Sequence, residues 1–369
     1  MIAHHRAPAV LTVDLAAIVA NWRAVAAAAP GAETAAVVKA DAYGLGAAPV
    51  ARALAAAGCR TFFVATIDEG IALRATLPEA RILVLGGPLP GTAADLAEHR
   101  LIPVLNSLEQ IGQWVGFARA REIRPEAVLH VDTGMNRLGL DSAAIGELAG
   151  QPAMLAGIRP TLIMSHMACA DEPDHPKNRE QLQQFQSLGD RLGLAARRSL
   201  AASSTVFLGA DYHFDLVRPG AALYGLNPVP GRPNPLAGVV RLEGRIIQVR
   251  DVDSPQTVGY GASHRFAGKA RVATVAAGYA DGLFRSLGNR GFAVIGGQRV
   301  PVVGRISMDL TTFDVSGVAP GIAHPGALVQ LIGPDHPVDD LAAEAGTIGY
   351  EILTALGRRY FRSYLGGVA

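Results

Sequence analysis

Apolar and polar positions alternate in a regular way along roughly the first two thirds of the chain. Short apolar runs of strand character recur at Ala35–Val38, Thr61–Ala65, Arg81–Leu85, Leu101–Leu105, Ala127–Val131, Thr161–Ser165, Arg198–Ala202 and Asp215–Arg218. Between most of them lie longer stretches whose apolar residues return at helical spacing: Ala47–Ala57, Ile67–Thr76, Ala93–His99, Leu108–Arg121, Ala143–Ala149 and Asn178–Leu192. Strictly alternating β and α elements imply parallel strands, and eight of them predict an α/β fold with an N-terminal TIM-type (β/α)8 barrel. A doubly wound open sheet is the structural alternative, but no glycine fingerprint follows the first strand. Ahead of that strand, Leu11, Leu15, Ile18, Trp22 and Val25 recur at helical spacing, which predicts a surface helix with Thr12 as its cap.

The pattern changes at Asn227–Pro235, a Pro/Gly-dense stretch that reads as a connection between domains. Beyond it come short Val/Ile-rich runs at Val239–Val249, Val272–Ala277, Ala293–Ile295, Val300–Val303, Thr311–Val315 and Leu328–Ile332, with Gly, Pro and Asp between them. They predict a mostly β domain with helices near Ala342 and over Tyr350–Arg359. The expected division is therefore a barrel over 1–235 and a β domain over 236–369.

Composition narrows the classes. Half of the 369 residues are apolar and 18% are charged, so a large core is available and disorder is not expected. The formal net charge is +1 with no Lys/Arg block, which argues against nucleic-acid or membrane partners. Cys59 and Cys169 are the only cysteines; they make no disulfide framework and suit a cytoplasmic location. The Ala-rich N-terminal stretch is interrupted by Asp14, Asn21 and Arg23, so it makes no signal-peptide core. No metal-ligand set is expected.

A barrel carries its chemistry at the carboxyl ends of its strands. Those ends here are Lys39, Leu85-Gly86-Gly87, the run His130 to Arg137, Ser165-His166, Ser203-Ser204 and Arg218-Pro219-Gly220. A lysine closing a buried strand loses water, and its pKa falls toward values where the free amine serves as nucleophile or base. Phosphate sites in such barrels often lie after strands seven and eight. There Ser203 offers a hydroxyl, Gly220 and Ala221 offer N–H groups, and a short helix around Thr205–Leu208 offers its positive end.

The run Val37-Val38-Lys39-Ala40-Asp41-Ala42-Tyr43-Gly44-Leu45-Gly46 resembles the cofactor-lysine motif of the alanine racemases. The segments Thr257–His264, Ala277–Gly282, Arg305–Asp309 and Val217–Gly225 resemble further signatures of that family. The resemblance implies a pyridoxal 5'-phosphate (PLP) enzyme that interconverts L- and D-alanine with two bases. It implies that Lys39 carries the cofactor covalently, that Leu85 borders it, and that Tyr43, Ser203, Gly220, Ala221 and Tyr350 hold its phosphate. Arg218 would face the pyridine nitrogen, with His166 holding that arginine in place. Tyr260 would be the second base, assisted by Arg137, because a phenol needs help to act as a base near neutral pH. Met308, Asp309 and Tyr279 would lie on the substrate side. The family also implies a head-to-tail homodimer in which each site takes Lys39 from one subunit and Tyr260 from the other.

Two positions depart from the family pattern. His130 stands where a lysine, often carbamylated, usually braces the arginine, and Ala202 replaces a common asparagine before Ser203. Other readings remain open: a racemase of broader scope acting on serine or larger amino acids, a decarboxylase of related architecture, or a non-catalytic PLP carrier. Arg218 opposite the ring nitrogen argues against the decarboxylase, and Gly259-Tyr260-Gly261 in a second domain argues against the carrier.

Overall fold

A computed structural model of the chain describes residues 4–367. It divides into two compact units, one formed by Ile18–Ala42 with Gly46–Ala237, the other by the residues up to Ala17, Tyr43–Leu45 and Gly238–Gly367.

The first unit is the predicted barrel. Seven parallel strands follow one another in chain order: Ala36–Val37, Thr61–Val64, Arg81–Val84, Ile102–Leu105, Glu126–His130, Arg159–Met164 and Arg197–Ser199. The eighth, Leu216–Val217, pairs in parallel with Glu33–Thr34, just ahead of the first strand. Backbone bonds on both sides of it close the ring. Asp215 N donates to Arg198 O at 3.0 Å and Arg218 N to Ala201 O at 2.8 Å. On the other side Ala35 N donates to Val217 O at 3.0 Å and Val37 N to Pro219 O at 2.9 Å. Strand centres such as Phe62, Phe63, Ile82, Leu83, Val128 and Leu129 are buried, as expected of strands covered on both faces.

The helices start where their caps dictate. Thr66 and Glu69 form a capping box for Ile67–Thr76, while Ser107 and Asp141 cap Leu108–Ala120 and Ser142–Gly150. The phosphate-side helix covers Ser203–Val206, two residues earlier than expected at Thr205–Leu208.

The second unit is built on one long strand, Val240–Val252, whose alternate residues Leu242, Gly244 and Ile246 face inward. It pairs with Leu328–Ile332 and Ala9–Asp14 on one stretch and with Ala270–Val275 on another; Thr311–Asp314 extends the sheet beyond the last. Among the described residues no helix is long and apolar enough to cross a membrane.

Two expectations change toward the ends of the chain. Residues 9–14 form a strand and not part of a helix, so Thr12 caps nothing; the helix is Leu15–Ala28, and Asp14 Oδ1 accepts from Ala17 N at 2.9 Å. Val10-Leu11-Thr12-Val13 suits either period, and pairing decides: Val240–Val252 lies antiparallel on one side and Phe361–Leu365 parallel on the other. Residues 4–17 therefore group with the β unit, and the chain passes between the two units again between Ala237 and Gly238. The last helix ends at Ala355, and a strand at Phe361–Leu365 follows that no alternating pattern announces.

Candidate active site

The chain leaves the first barrel strand through Lys39 and then four consecutive left-handed residues, Ala40, Asp41, Ala42 and Tyr43, at φ 52, 53, 53 and 56°. Each such non-glycine residue costs roughly 1–2 kcal/mol, so the turn persists only because its surroundings hold it. Glu69 ties it to the end of the second strand. Its Oε1 accepts from Ala40 N and its Oε2 from Ala65 N, both at 2.7 Å. Asp41 receives Ala47 N on its carboxylate at 2.7 Å and Gly46 N on its carbonyl at 2.8 Å. Gly44 lies so close to Leu353 that a Cβ would stand 2.4 Å from its carbonyl oxygen. The turn leaves Lys39 partly desolvated. Burial first, then the nearby Arg137, hold its ammonium below the ordinary lysine range, with Glu69 opposing them.

The other rim residues form a cationic ring around two neutral histidines. Arg218 is buried and has no carboxylate partner among the described residues. It donates to Ser199 Oγ, to Ser165 O at 2.5 Å and to Leu200 O at 3.4 Å. Burial pushes its pKa down to about 9. His166 is pushed down to about 3 by burial and then by Arg218, Arg137, Lys39 and His130. The hydrogen bonds that hold Arg218 come from Ser199 and two carbonyls, and the His166 ring makes none among the described residues. A guanidinium fork suits fixed oxygen acceptors, whereas a neutral imidazole offers one lone pair. Arg137 is exposed and pairs with no described residue. Its loop is shaped by Asp132, whose Oδ1 accepts from Gly134 N at 2.9 Å and Met135 N at 3.0 Å.

His130 has a defined tautomer. Asn106 donates its amide to Leu85 O at 3.1 Å and Val104 O at 3.0 Å, so its Oδ1 is an acceptor. His130 Nδ1 lies 2.7 Å from that oxygen and therefore carries the hydrogen, which leaves Nε2 with its lone pair. Burial and Arg218 push His130 down to about 4 against the pull of Asp132. Behind this rim Gln181 donates to Thr133 Oγ1 at 3.1 Å and His166 O at 3.0 Å, and accepts from Ala168 N at 2.8 Å. Glu69, Asn106, Ser199 and Gln181 escaped the sequence reading. Only Glu69 left a trace there, as the fourth residue of Thr66-x-x-Glu69.

After strands seven and eight, the buried Ser203 Oγ accepts from Gly220 N and Ala222 N, each at 3.0 Å. Its own hydroxyl hydrogen has no acceptor among the described residues.

In the β unit three loops come together. Tyr260, 70% exposed, tops a turn whose Gly259 and Gly261 have φ 76 and 69°. A Cβ on either glycine would stand 3.2–3.3 Å from Arg305. Tyr279 N donates to Ser307 O and Ala280 N to Met308 O, both at 3.0 Å. Met308 N donates to no described residue. Tyr43 and Tyr350 face each other with ring centroids 6.0 Å apart, and burial and Tyr350 raise the Tyr43 phenol above its ordinary range.

The barrel rim can hold an anion. Among the described residues Arg218 has no counter-charge and the Ser203 hydroxyl no acceptor, and Lys39 adds an amine of lowered basicity. Fold and rim together define a parallel barrel with a lysine at the end of its first strand and a cationic mouth. Residues 13–228 match the family described as Alanine racemase, N-terminal domain, and residues 239–364 match Alanine racemase, C-terminal domain. The alanine racemase of Rhodospirillum rubrum is 54% identical over 367 residues, covering 98% of this chain and 97% of the relative. That of Rhizobium meliloti is 49% identical over 369 residues, 97% of each. Among solved structures, the alanine racemase of Bartonella henselae with covalently bound pyridoxal phosphate superposes with a TM-score of 0.94 at 40% identity, covering 97% of this chain and 100% of that one. The chain belongs to the alanine racemase family.

Proposed function

We propose that this protein racemises alanine with PLP, using Lys39 and Tyr260 as the two bases. The observation that carries the reading is the desolvated, cation-flanked Lys39 at the end of the first strand, in a chain that matches alanine racemases over nearly its whole length. The residues present fit the cofactor. Ser203 has a hydrogen to give a phosphate oxygen, and Arg218 has N–H groups beyond those used on Ser199, Ser165 and Leu200. Lys39 would hold PLP covalently; Tyr43, Tyr350, Gly220 and Ala221 would surround its phosphate, with Leu85 and His166 beside it. When bound, PLP supplies an electron sink that acidifies the α-hydrogen of an amino acid.

In this reading Lys39 Nζ takes the α-proton from one face of the substrate and Tyr260 Oη gives one to the other, and the reverse reaction exchanges their roles. Lowered basicity suits Lys39, since its amine must be free for part of each cycle. Arg218 stays protonated, so it offers a hydrogen bond to a ring nitrogen without transferring a proton, which limits side reactions. Arg137 and the Met308 N–H are available for the substrate carboxylate, with Tyr279 and Asp309 bordering it. The reading includes a homodimer in which Tyr260 comes from the partner subunit. It also includes a cytoplasmic location, which two cysteines present as free thiols support.

The test is chiral analysis of products from a panel of L-amino acids, serine included, with PLP present. D-alanine should form fastest, and Lys39→Ala should lose turnover by about a thousandfold or more. No turnover of any amino acid overturns the proposal, and faster turnover of serine moves it to a broader racemase.

A further inference from the structure

The C-terminal segment reaches back to two loops of the β unit through Arg359. Its guanidinium forks onto Asp281, with Nε to Oδ1 at 2.7 Å and Nη2 to Oδ2 at 2.8 Å. The remaining Nη1 donates to Asp309 Oδ1 at 2.7 Å. One planar cation thus spans two carboxylates on different loops, which a lysine cannot do with comparable geometry.

Each carboxylate is tied to backbone that matters. Asp281 is 2% exposed, and its Oδ2 also accepts from Gly278 N at 2.9 Å. Its carbonyl receives Tyr360 Oη at 2.5 Å and Gly357 N at 3.0 Å. The fit around it is tight. A Cβ on Gly282 would stand 2.4 Å from Ala355 O, and one on Gly278 would stand 2.4 Å from Met308 O. Asp309 directly follows Met308. The two loops touch through the amides of Tyr279 and Ala280, which donate to Ser307 O and Met308 O.

We infer that Arg359 is a positioning residue that clamps the Gly278–Gly282 loop to the Ser307–Asp309 loop and so sets the place of the Met308 N–H and the Tyr279 ring toward an amino-acid carboxylate. The carboxylate part of this inference rests on the substrate-side reading of Met308 and Tyr279. Arg359 itself touches no reacting atom. It also neutralises Asp309, which would otherwise hold a negative charge one residue from the N–H that the substrate carboxylate must approach.

The clamp has a direct reporter, because the Tyr279 and Ala280 amides bridge the two loops. Residue-resolved hydrogen exchange on the PLP-loaded enzyme should show both amides exchanging about tenfold faster in Arg359→Lys, with other amides of the β sheet unchanged. Asp309→Asn cuts only the solvent-exposed arm and should accelerate the same two amides by a smaller factor; it serves if Arg359→Lys does not fold. Kinetically, both variants should raise KM for alanine several-fold while kcat falls less, since ground-state placement is lost and the bases are untouched. Wild-type exchange at Tyr279 and Ala280 in folded variants overturns the clamp, whatever KM does. Faster exchange with unchanged KM supports the clamp and overturns the substrate-side reading of these loops.

Discussion

His130 and His166 illustrate how burial among cations sets a residue's chemistry. Both sit near Arg218 and Arg137, and both are held neutral, at about 4 and about 3. In the unfolded chain each would titrate near ~6.5. Between those values the unfolded state binds more protons than the folded one, so stability rises with pH across the window and is lost as pH falls toward 4. Removing one histidine should remove part of that slope. His130→Gln is expected to lose less stability than the parent protein between pH ~6.5 and ~4, as read from denaturant midpoints of the cofactor-free proteins. Parallel pH profiles for the two proteins would contradict the assignment. Lys39 follows the same sign. Its lowered pKa means it binds fewer protons when folded, a cost that fades only as pH rises toward its unfolded value.

At the scale of elements, the left-handed turn after Lys39 is the least expected piece of backbone in the barrel. Ala-Asp-Ala-Tyr has no local preference for it, so its energy must come from contacts elsewhere, and Glu69 joins Ala40 N of the turn to Ala65 N by two charge-assisted hydrogen bonds. Glu69→Ala should therefore destabilise the protein by about 2–4 kcal/mol, from the lost bonds and the two N–H groups left behind. It should also lower racemisation, because Lys39 is no longer held. Glu69→Gln keeps an acceptor and should recover part of both. Equal stability of Glu69→Ala and the parent in urea titrations would show that the turn is held by other means.

At the scale of the molecule, the candidate bases lie in different units: Lys39 in the barrel and Tyr260 on an exposed turn of the β unit. A twofold-symmetric dimer repeats each contact, so sites shared between subunits arise in pairs. Lys39→Ala and Tyr260→Phe should each be nearly inactive alone. Refolded together, they should give mixed dimers with one site carrying both lesions and one carrying neither, and activity should return with those heterodimers. Purified heterodimers as inactive as their parents would place both bases in one chain or remove Tyr260 from the mechanism.

The sequence alone determined the alternation of strands and helices, the β-rich second part and the rim positions Lys39, His166, Ser203 and Arg218, because burial writes a period into the chain and strand ends follow from it. It left open everything that depends on a partner distant in sequence. Val10-Leu11-Thr12-Val13 became a strand because two sheet edges were there to receive it. Ala40 to Tyr43 hold a left-handed turn that Glu69 meets from 29 positions away, at Ala40 N. Arg218 found Ser199, His130 took its tautomer from Asn106, and Arg359 reached Asp281 across 78 positions. Hydrogen bonds between side chains far apart in the chain leave no periodic trace. Only the folded chain decides which donor meets which acceptor, and these long-range bonds hold the backbone and charges of the candidate site.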